Sequence, residues 1–299
     1  MLRAVCFTTL SILSYSCQNL NGELRMKTLQ DLHNYSEELT PSGQTMPVLF
    51  VGHGNPMNAI EENEFSARWK ELGKELPRPN AVLCISAHWE TRGTHVTAME
   101  RPETIHDFGG FPPELFAAQY PAPGDPMLAE QTKEVIKKAV VELDTNWGLD
   151  HGCWSVVKRI YPNADVPVIQ LSLDHFQSPQ WHYELANDLS ALRKKGVLII
   201  GSGNMVHNLR MVNWRNPGET YDWAQEANAA FKQRILEGNH RDLIDYPSLG
   251  KAAMLSIPTP EHYLPMLYVL GLQGKTEGIT FFNDKTVMGS VSMTSFKVS

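Results

Sequence analysis

The chain has 299 residues, of which 42% are hydrophobic and 20% charged, as expected for a globular protein with a sizeable core. Its net charge is −7 and it has no run of lysines and arginines, so we expect a small-molecule ligand rather than a nucleic acid. The four cysteines contain no CxxC pair and indicate no disulfide framework.

Residues 1–45 are interpreted as a leader or polar N-terminal extension that precedes a domain at 46–299. The stretch LRAVCFTTLSILSYSC has one early positive charge, a short apolar segment and small residues before Cys17, which is the pattern of a weak signal peptide with a lipidated cysteine. The alternative is an upstream extension before a natural start at Met26. We expect a cytoplasmic protein, with export or lipid anchoring through Cys17 as the alternative. No other segment approaches the ~20 apolar residues of a membrane span, so no further membrane contact is expected.

Strands and helices alternate along the rest of the chain. Apolar runs predict strands, and apolar residues at helical spacing predict helices. The predicted strands are 48–52, 81–86, 95–99, 166–173, 197–200, 279–282 and 290–296, and the predicted helices are 61–76, 126–143, 153–161 and 179–195, one through Trp223, Ala227, Phe231 and Ile235, and one that begins in PTPEHYLPMLYVLG. This alternation predicts a single-domain α/β fold, a three-layer sandwich around a mostly parallel or mixed sheet.

Six histidines follow predicted strands or lie in loops rich in glycine or proline. They are His53 in GHGNP, His88 in SAHWE, His106 in HDFGGFPPE, His151 in LDHGCWS, His207 after VLIIGSGN, and His262 in PTPEHYLP. A single histidine after a strand is usually only a hydrogen-bonded structural residue. Because ligands bind beyond the carboxyl ends of strands in α/β sheets, several histidines in such positions indicate a shared site.

Imidazoles from different strands are suited to a catalytic metal site with open coordination positions. Neutral imidazole is the commonest zinc ligand and a good ligand for Fe(II). The sequence has no HExxH, no GxSxG and no GxGxxG in the right context, which argues against a familiar zinc protease, a serine hydrolase and a dinucleotide site.

A set of motifs in chain order resembles the class III (LigB-type) extradiol ring-cleaving dioxygenases, most closely the 4,5-DOPA extradiol dioxygenase group. The motifs are GHGNPMNAI, SAHWE, HDFGGFP, QYPAPGDP, LDHGCWSV, PVIQLSLD, GSGNMVHNL and TPEHYLPMLYVLG. Together they cover the chain from about Met46 to Ser299, and residues 1–45 lie outside the resemblance.

The resemblance implies a non-haem Fe(II) that binds a small aromatic diol and O2 together, and Zn(II) can occupy the same site. His53 and His88 match two metal ligands of the family. His262 matches the third position, where more distant relatives use a glutamate, so Glu261 keeps a carboxylate option open. His207 is placed with the metal ligands and is also a candidate acid/base residue.

The remaining site residues follow from the same resemblance and from the chemistry. His151 resembles the second acid/base histidine of the family, and a histidine is a suitable base for a catechol that must lose a proton to chelate a metal. On the substrate side, the loop that carries His106, Asp107 and Phe108 is expected to face the ring or its side chain. Asn204 is expected to hydrogen-bond a substrate oxygen or to position His207.

The leading hypothesis is a metal-dependent extradiol dioxygenase that opens the ring of DOPA or a related catechol with O2. A zinc-dependent hydrolase on the same scaffold is a second hypothesis, because zinc with an open position generates hydroxide near neutral pH. A non-catalytic metal-binding module is a third, which the presence of both His151 and His207 disfavours.

Overall fold

Eight strands form one mixed sheet in the computed structural model, which describes residues 45–299. In chain order the strands are β1 Val48–Gly52, β2 Ala81–Thr91, β3 Thr94–Thr97, β4 Val141–Asp144, β5 Val168–Asp174, β6 Val197–Gly203, β7 Ile279–Phe282, β8 Thr286–Val287, β9 Val291–Ser292 and β10 Ser295–Val298. Strands β8 and β9 form a separate two-stranded sheet. The predictions of a leader in residues 1–45 and of an anchor at Cys17 fall outside the described residues, apart from Thr45.

The large sheet has the strand order β4-β3-β5-β2-β6-β1-β10-β7. Its four central strands β5, β2, β6 and β1 run parallel to one another. The flanking strands β3 and β10 join this parallel block in antiparallel orientation. The carboxyl ends of β2, β6 and β1 therefore lie side by side at one edge, where a parallel sheet positions its ligands.

Helices cover both faces of the sheet. They are α1 Glu64–Glu75, α2 Pro113–Phe116, α3 Pro126–Val135, α4 His151–Ile160, α5 Pro179–Ala186, α6 Ser190–Lys194, α7 Asp222–Leu236, α8 His240–Ile244, α9 Lys251–Ser256 and α10 Leu264–Gly271. Alternate residues of β1 enter different cores: Val48 and Phe50 pack in one, Leu49 and Val51 in the other. Because successive side chains of a strand point to opposite faces, this alternation produces the three layers. The predicted α/β sandwich around a mixed sheet is confirmed.

The predicted helix over 126–143 is wrong in its second half. Helix α3 ends at Val135, and Val141–Asp144 is an edge strand that pairs in parallel with β3. The backbone N–H groups of Lys137 and Lys138 donate to the carboxylate of Asp188 at 2.7 and 2.9 Å. These bonds hold the backbone in the turn between α3 and β4.

Two other predicted elements are divided. The predicted strand over 290–296 contains the whole of β9 and the first two residues of β10, which belong to different sheets. The predicted helix over 179–195 is interrupted by a 3-10 turn at Asn187–Leu189. Within residues 45–299, helix length and hydropathy leave no candidate for a membrane-spanning helix.

Two glycines of β6 allow the segment that leads into α10 to lie against the sheet. A Cβ added at Gly203 would lie 2.1 Å from the carbonyl oxygen of His262, and one added at Gly201 would lie 2.3 Å from that of Pro265. The N–H of Asn204 also donates to the His262 carbonyl at 2.8 Å. The end of β6 therefore fixes the position of His262 through backbone contacts that only a glycine permits.

We predict that Gly203→Ala lowers the free energy of unfolding by roughly 1–3 kcal/mol, because the new methyl group collides with backbone that has little room to move. Chemical denaturation measures this loss. The matched control is Gly218→Ala, since a Cβ at Gly218 meets no atom within 4 Å. Equal stability of the two variants would contradict the close contact between β6 and His262.

Candidate metal centre and active-site cavity

His53 and His88 reach the carboxyl edge of the sheet from β1 and β2. His53 directly follows β1, and its N–H donates to the carbonyl of Gly203 at 3.1 Å. His88 lies inside β2 at a bulge. Between the paired positions Ile85–Leu171 and Glu90–Leu173, β2 advances by five residues and β5 by two. Such a bulge turns side chains away from the regular alternation. The two Nε2 atoms lie 3.2 Å apart.

His207 and His262 form the second pair of rings. His207 follows β6, and its N–H donates to the carbonyl of Ser256 at 2.9 Å. His262 lies two residues before α10. Their rings are stacked with centroids 3.5 Å apart, and the centroid of His262 lies 5.3 Å from that of His53. The two pairs therefore share one site.

His151 is the first residue of α4 and completes the cluster. Its ring centroid lies 3.8 Å from that of His88 and 5.8 Å from that of His53. The carboxylate of Asp107 accepts two hydrogen bonds from His151, one from the backbone N–H at 2.8 Å and one from Nδ1 at 2.9 Å. The structure thus brings together five of the six histidines that the sequence indicates.

Neighbouring side chains determine which ring nitrogen of His53 is free. The hydroxyl of Ser202 donates to the carbonyl of Gly152 at 2.6 Å, so its oxygen accepts a hydrogen bond from His53 Nδ1–H at 3.0 Å. His53 Nε2 is then unprotonated and carries a lone pair toward His88. Such partners on the outer nitrogen fix the tautomer and orientation of metal-binding imidazoles.

His88 and His262 also have acceptors at Nδ1. The carboxylate of Asp107 lies 3.4 Å from His88 Nδ1, and that of Glu261 lies 3.1 Å from His262 Nδ1. A proton on Nδ1 of each ring would leave its Nε2 free to bind a metal. Two lone pairs at the 3.2 Å separation of His53 and His88 repel each other unless a cation lies between them. Two imidazole nitrogens bound to one ion at about 2.0–2.1 Å have a similar spacing, so the donor set fits a metal.

Burial keeps these imidazoles neutral. It lowers the pKa of His53 and His262 well below the ordinary value, and nearby imidazoles lower it further. Burial, with the neighbouring His151, lowers the pKa of His88 to about 3 and that of His207 to about 4. A neutral imidazole is the form that binds a metal ion, so the site is ready for a metal near pH 7.

Two groups of three side chains have donor atoms that all lie within 4.8 Å of one another: His53, His88 and His151, and His207, Glu261 and His262. The predicted ligands His53, His88, His207 and His262 are divided between these groups. His151, predicted as an acid/base residue, lies with the first group. The division of roles among the five histidines therefore stays a prediction.

The two predicted substrate-binding residues lie behind the cavity wall. His106 Nε2 is 2.9 Å from the carbonyl oxygen of Ala118, and its ring packs on Phe108. The side chain of Asn204 donates to the carbonyl of Ser292 at 2.7 Å. Neither residue lines the cavity over the histidines, whereas Phe108 does. Their role in substrate binding stays a prediction, and any effect of His106 would pass through Phe108.

Sequence reasoning missed two residues that orient the imidazoles. Ser202 holds His53, and Asp107 holds His151 and approaches His88. Asp107 lies in the quoted motif HDFGGFP, directly after the histidine that the sequence favoured. The only signal for its role was a carboxylate in a loop that carries other site residues.

A cavity of about 820 Å³ opens over the histidine cluster. All five clustered histidines line it, and apolar side chains of the loops around 108–111 and 209–214 form much of the outer wall. Its size is typical of a pocket for a small organic ligand. The fold and the site define a class of protein: an α/β protein whose parallel strands end at a histidine-rich site of the metal-binding type.

Comparisons with known proteins identify the family within that class. The profile described as the catalytic LigB subunit of aromatic ring-opening dioxygenase matches residues 46–294. The chain belongs to this family and is an extradiol ring-cleaving oxidoreductase. Members of the family use a metal and act on a small aromatic compound with O2. The resemblance inferred from the sequence motifs is confirmed.

Individual relatives span nearly the whole domain. The chain is 46% identical over 266 residues to the 4,5-DOPA dioxygenase extradiol of Escherichia coli (strain K12), a match that covers 88% of this chain and 98% of that protein. It is 33% identical over 254 residues to the Beta vulgaris protein of the same name, a match that covers 83% of this chain and 94% of that protein. A crystal structure of an uncharacterized protein from Escherichia coli K12 matches with a TM-score of 0.75 at 43% identity, over 85% of this chain and 100% of that one.

We predict that the metal-free protein loses stability as the pH falls from about 6.5 to about 4. The pKa of His207 is about 4 in the folded protein, against 6.5 as its ordinary value, so in this window the unfolded chain binds a proton that the folded chain excludes. Each such histidine contributes a slope of up to roughly 1.4 kcal/mol per pH unit. Urea denaturation at a series of pH values measures the slope.

The variants His207→Gln and His175→Gln test the source of this slope. His175 directly follows β5 and is exposed to solvent, so its replacement should leave the slope unchanged. His207→Gln should give a shallower slope. An identical slope in all three proteins would show that the buried imidazoles do not control the acid stability.

Proposed function

We propose that the protein opens the ring of DOPA or a related catechol with O2 at a metal ion bound by His53, His88 and His262, with His207 beside them. Fe(II) is the expected working metal, and Zn(II) can occupy the same site. The observation that carries the proposal is the 3.2 Å approach of the Nε2 atoms of His53 and His88, a spacing that fits two imidazole ligands of one metal ion. The names of the relatives from Escherichia coli and Beta vulgaris support the choice of substrate.

When bound, Fe(II) would supply a Lewis acid for the two catechol oxygens and a redox centre that links the diol to O2. Zinc is redox-inert and could not replace this second role. The ligands proposed here are neutral imidazoles, so the charge of the ion is left to be balanced by the ionised diol. This favours catechol binding in its deprotonated form.

His151 is the proposed base that takes a proton from the catechol. Asp107 holds Nδ1–H of this ring, so Nε2 is the nitrogen free to accept. Burial raises the pKa of Asp107, but the hydrogen bonds from His151 outweigh burial and the pKa lies below its ordinary value, so the carboxylate stays ionised. An ionised carboxylate on the outer nitrogen both fixes the ring and stabilises it once it is protonated.

His207 can act as a ligand or as an acid that returns a proton. Its ring stacks on His262, and within residues 45–299 neither of its ring nitrogens has a side-chain hydrogen-bond partner, so the ring is available for both roles. The apolar wall that includes Phe108 and Met293 shields the cluster from bulk water. Exclusion of water strengthens the electrostatic contacts inside the site.

We predict that His88→Ala abolishes metal binding, whereas His151→Ala retains the metal and lowers kcat by roughly 10²–10⁴-fold, the range for loss of a general acid or base. Metal content is measured by elemental analysis after anaerobic reconstitution with Fe(II). Turnover is measured as O2 uptake and as formation of a yellow ring-opened product from a catechol. The exposed His175 provides the control variant, His175→Ala, which should match the wild type in both.

Each departure from this pattern has a defined meaning. Loss of metal in His151→Ala would make His151 a ligand and overturn its role as a base. Hydrolysis of esters or amides by the zinc form, without O2 uptake by the Fe(II) form, would favour the zinc-dependent hydrolase. Metal binding without either activity would favour a non-catalytic metal-binding module.

A further inference from the structure

Asp150 is a buried carboxylate for which the reaction proposed above has no role. Its side chain has no exposed surface, and it immediately precedes His151, the proposed base. Because burying an unpaired carboxylate is costly, such a group is retained where its partners need it. The partners of Asp150 therefore indicate what it holds in place.

Four groups donate hydrogen bonds to this carboxylate. Oδ1 accepts from the hydroxyl of Ser86 at 2.6 Å and from the backbone N–H of Cys153 at 3.1 Å. Oδ2 accepts from the side-chain amide of Gln170 at 3.0 Å and from the indole N–H of Trp147 at 3.4 Å. Asp150 thus caps the start of α4 and at the same time ties it to β2 and β5.

Ser86 connects Asp150 to the proposed metal ligand His88. Its hydroxyl donates to Asp150, and its oxygen accepts the backbone N–H of His88 at 3.2 Å. The pairing of β2 with β6 ends at Ser86, and its pairing with β5 is interrupted between Ile85 and Glu90. His88 therefore lies where the ladder is broken on both sides, and the Ser86 hydroxyl supplies a partner for its N–H.

The first turn of α4 packs directly against this bulge. A Cβ added at Gly152 would lie 2.5 Å from Ser86 Oγ and 2.8 Å from His88 Cδ2. The ring centroids of His88 and His151 are 3.8 Å apart. The start of α4 has no space to move toward β2, and the hydrogen bond between Ser86 and Asp150 holds it against moving away.

We propose that Asp150 is a positioning residue that acts through Ser86 to set the distance between the metal ligand His88 and the base His151. This inference rests on the roles proposed above for these two histidines and adds the pair of residues that fixes their spacing. Asp107 orients the ring of His151, whereas Asp150 and Ser86 fix the start of α4 against the bulge in β2. A base displaced from the bound diol takes its proton less efficiently, because proton transfer depends on hydrogen-bond distance.

Three variants separate this role from that of a helix cap. Ser86→Ala removes the link and leaves the cap. Asp150→Ser keeps a side chain suited to the cap that is too short to reach Ser86. Asp150→Asn keeps an acceptor oxygen for Ser86 and Cys153. The Gln170 amide can then turn its oxygen, which has no hydrogen-bond partner within residues 45–299, toward the new amino group.

Turnover of catechol by the Fe(II)-reconstituted protein, measured as O2 uptake, is the first test. We expect Ser86→Ala and Asp150→Ser each to lower kcat by roughly 10–100-fold, the effect of a small displacement of a catalytic group, with KM and metal content close to those of the wild type. Asp150→Asn should retain most of the activity. Equal kcat in Ser86→Ala and the wild type would overturn the inference.

A double variant shows whether the loss of kcat acts through the base. In a His151→Ala background, the further change Ser86→Ala should lower kcat far less than it does in the wild type, because the group that Ser86 helps to position is absent. The same fold-loss in both backgrounds would show that Ser86 acts independently of His151 and would overturn the inference.

A binding measurement tests the spacing without the reaction with O2. The zinc-loaded wild type should bind 4-nitrocatechol in deprotonated form, which its visible absorption reports. Ser86→Ala and Asp150→Ser should give a smaller deprotonated fraction at the same pH, and identical spectra in all three proteins would overturn the inference. If the Fe(II) form consumed no O2 with any catechol, the ring-opening function would fail while this comparison still decided the positioning role.

Thr132→Val provides the matched control for the loss of a buried hydroxyl. The Thr132 hydroxyl donates to the carbonyl of Leu128 at 2.7 Å within α3. Its removal should leave kcat and the 4-nitrocatechol spectrum unchanged, and thermal unfolding confirms that each variant is folded. A loss of kcat in this control as large as that in Ser86→Ala would assign both losses to the packing of the protein and overturn the inference.

Discussion

The approach of His53 Nε2 and His88 Nε2 to 3.2 Å is the constraint on which the rest of the site depends. Each ring has an acceptor near its outer nitrogen, the Ser202 hydroxyl for His53 and Asp107 for His88. With the protons on these outer nitrogens, both Nε2 atoms would present lone pairs to one cation. The protein therefore holds its ligands in a geometry that the ion stabilises, which couples metal binding to the stability of this edge of the sheet.

The sheet makes this approach possible because β6 lies between β2 and β1, with all three strands parallel. The central strand contributes little bulk at its end: Ser202 orients His53, and Gly203 lets the backbone of His262 pass within contact distance. A larger residue at either position would separate the rings on the two sides. The small residues of GSGN therefore have a structural role: they let another segment of the backbone pack against the end of β6. Other glycine-rich turns use their small residues to bind phosphate.

Much of the fold and of the candidate site was predictable from local sequence. The apolar runs before His53 and before His207 are strands, since a strand buried on both faces needs only apolar residues in sequence. The role of Asp107 in orienting His151 was not predictable from local sequence. The two residues are 44 positions apart and come into contact only in the folded chain. The edge strand Val141–Asp144 was missed because Asp188, about 50 residues later, binds the turn that ends the preceding helix.

The polar and the apolar side chains around the cavity lie in different parts of it. The histidines, Asp107 and Glu261 lie at the floor and are bonded to one another or available to an ion, whereas the wall toward the mouth is mainly apolar. Burial is the main cause of the lowered pKa of His88 and His207, and the apolar wall contributes to that burial. A polar wall would admit water and raise the proton affinity of these rings, and metal binding would then compete with protonation nearer to neutral pH. The apolar character of the wall therefore supports metal binding near neutral pH.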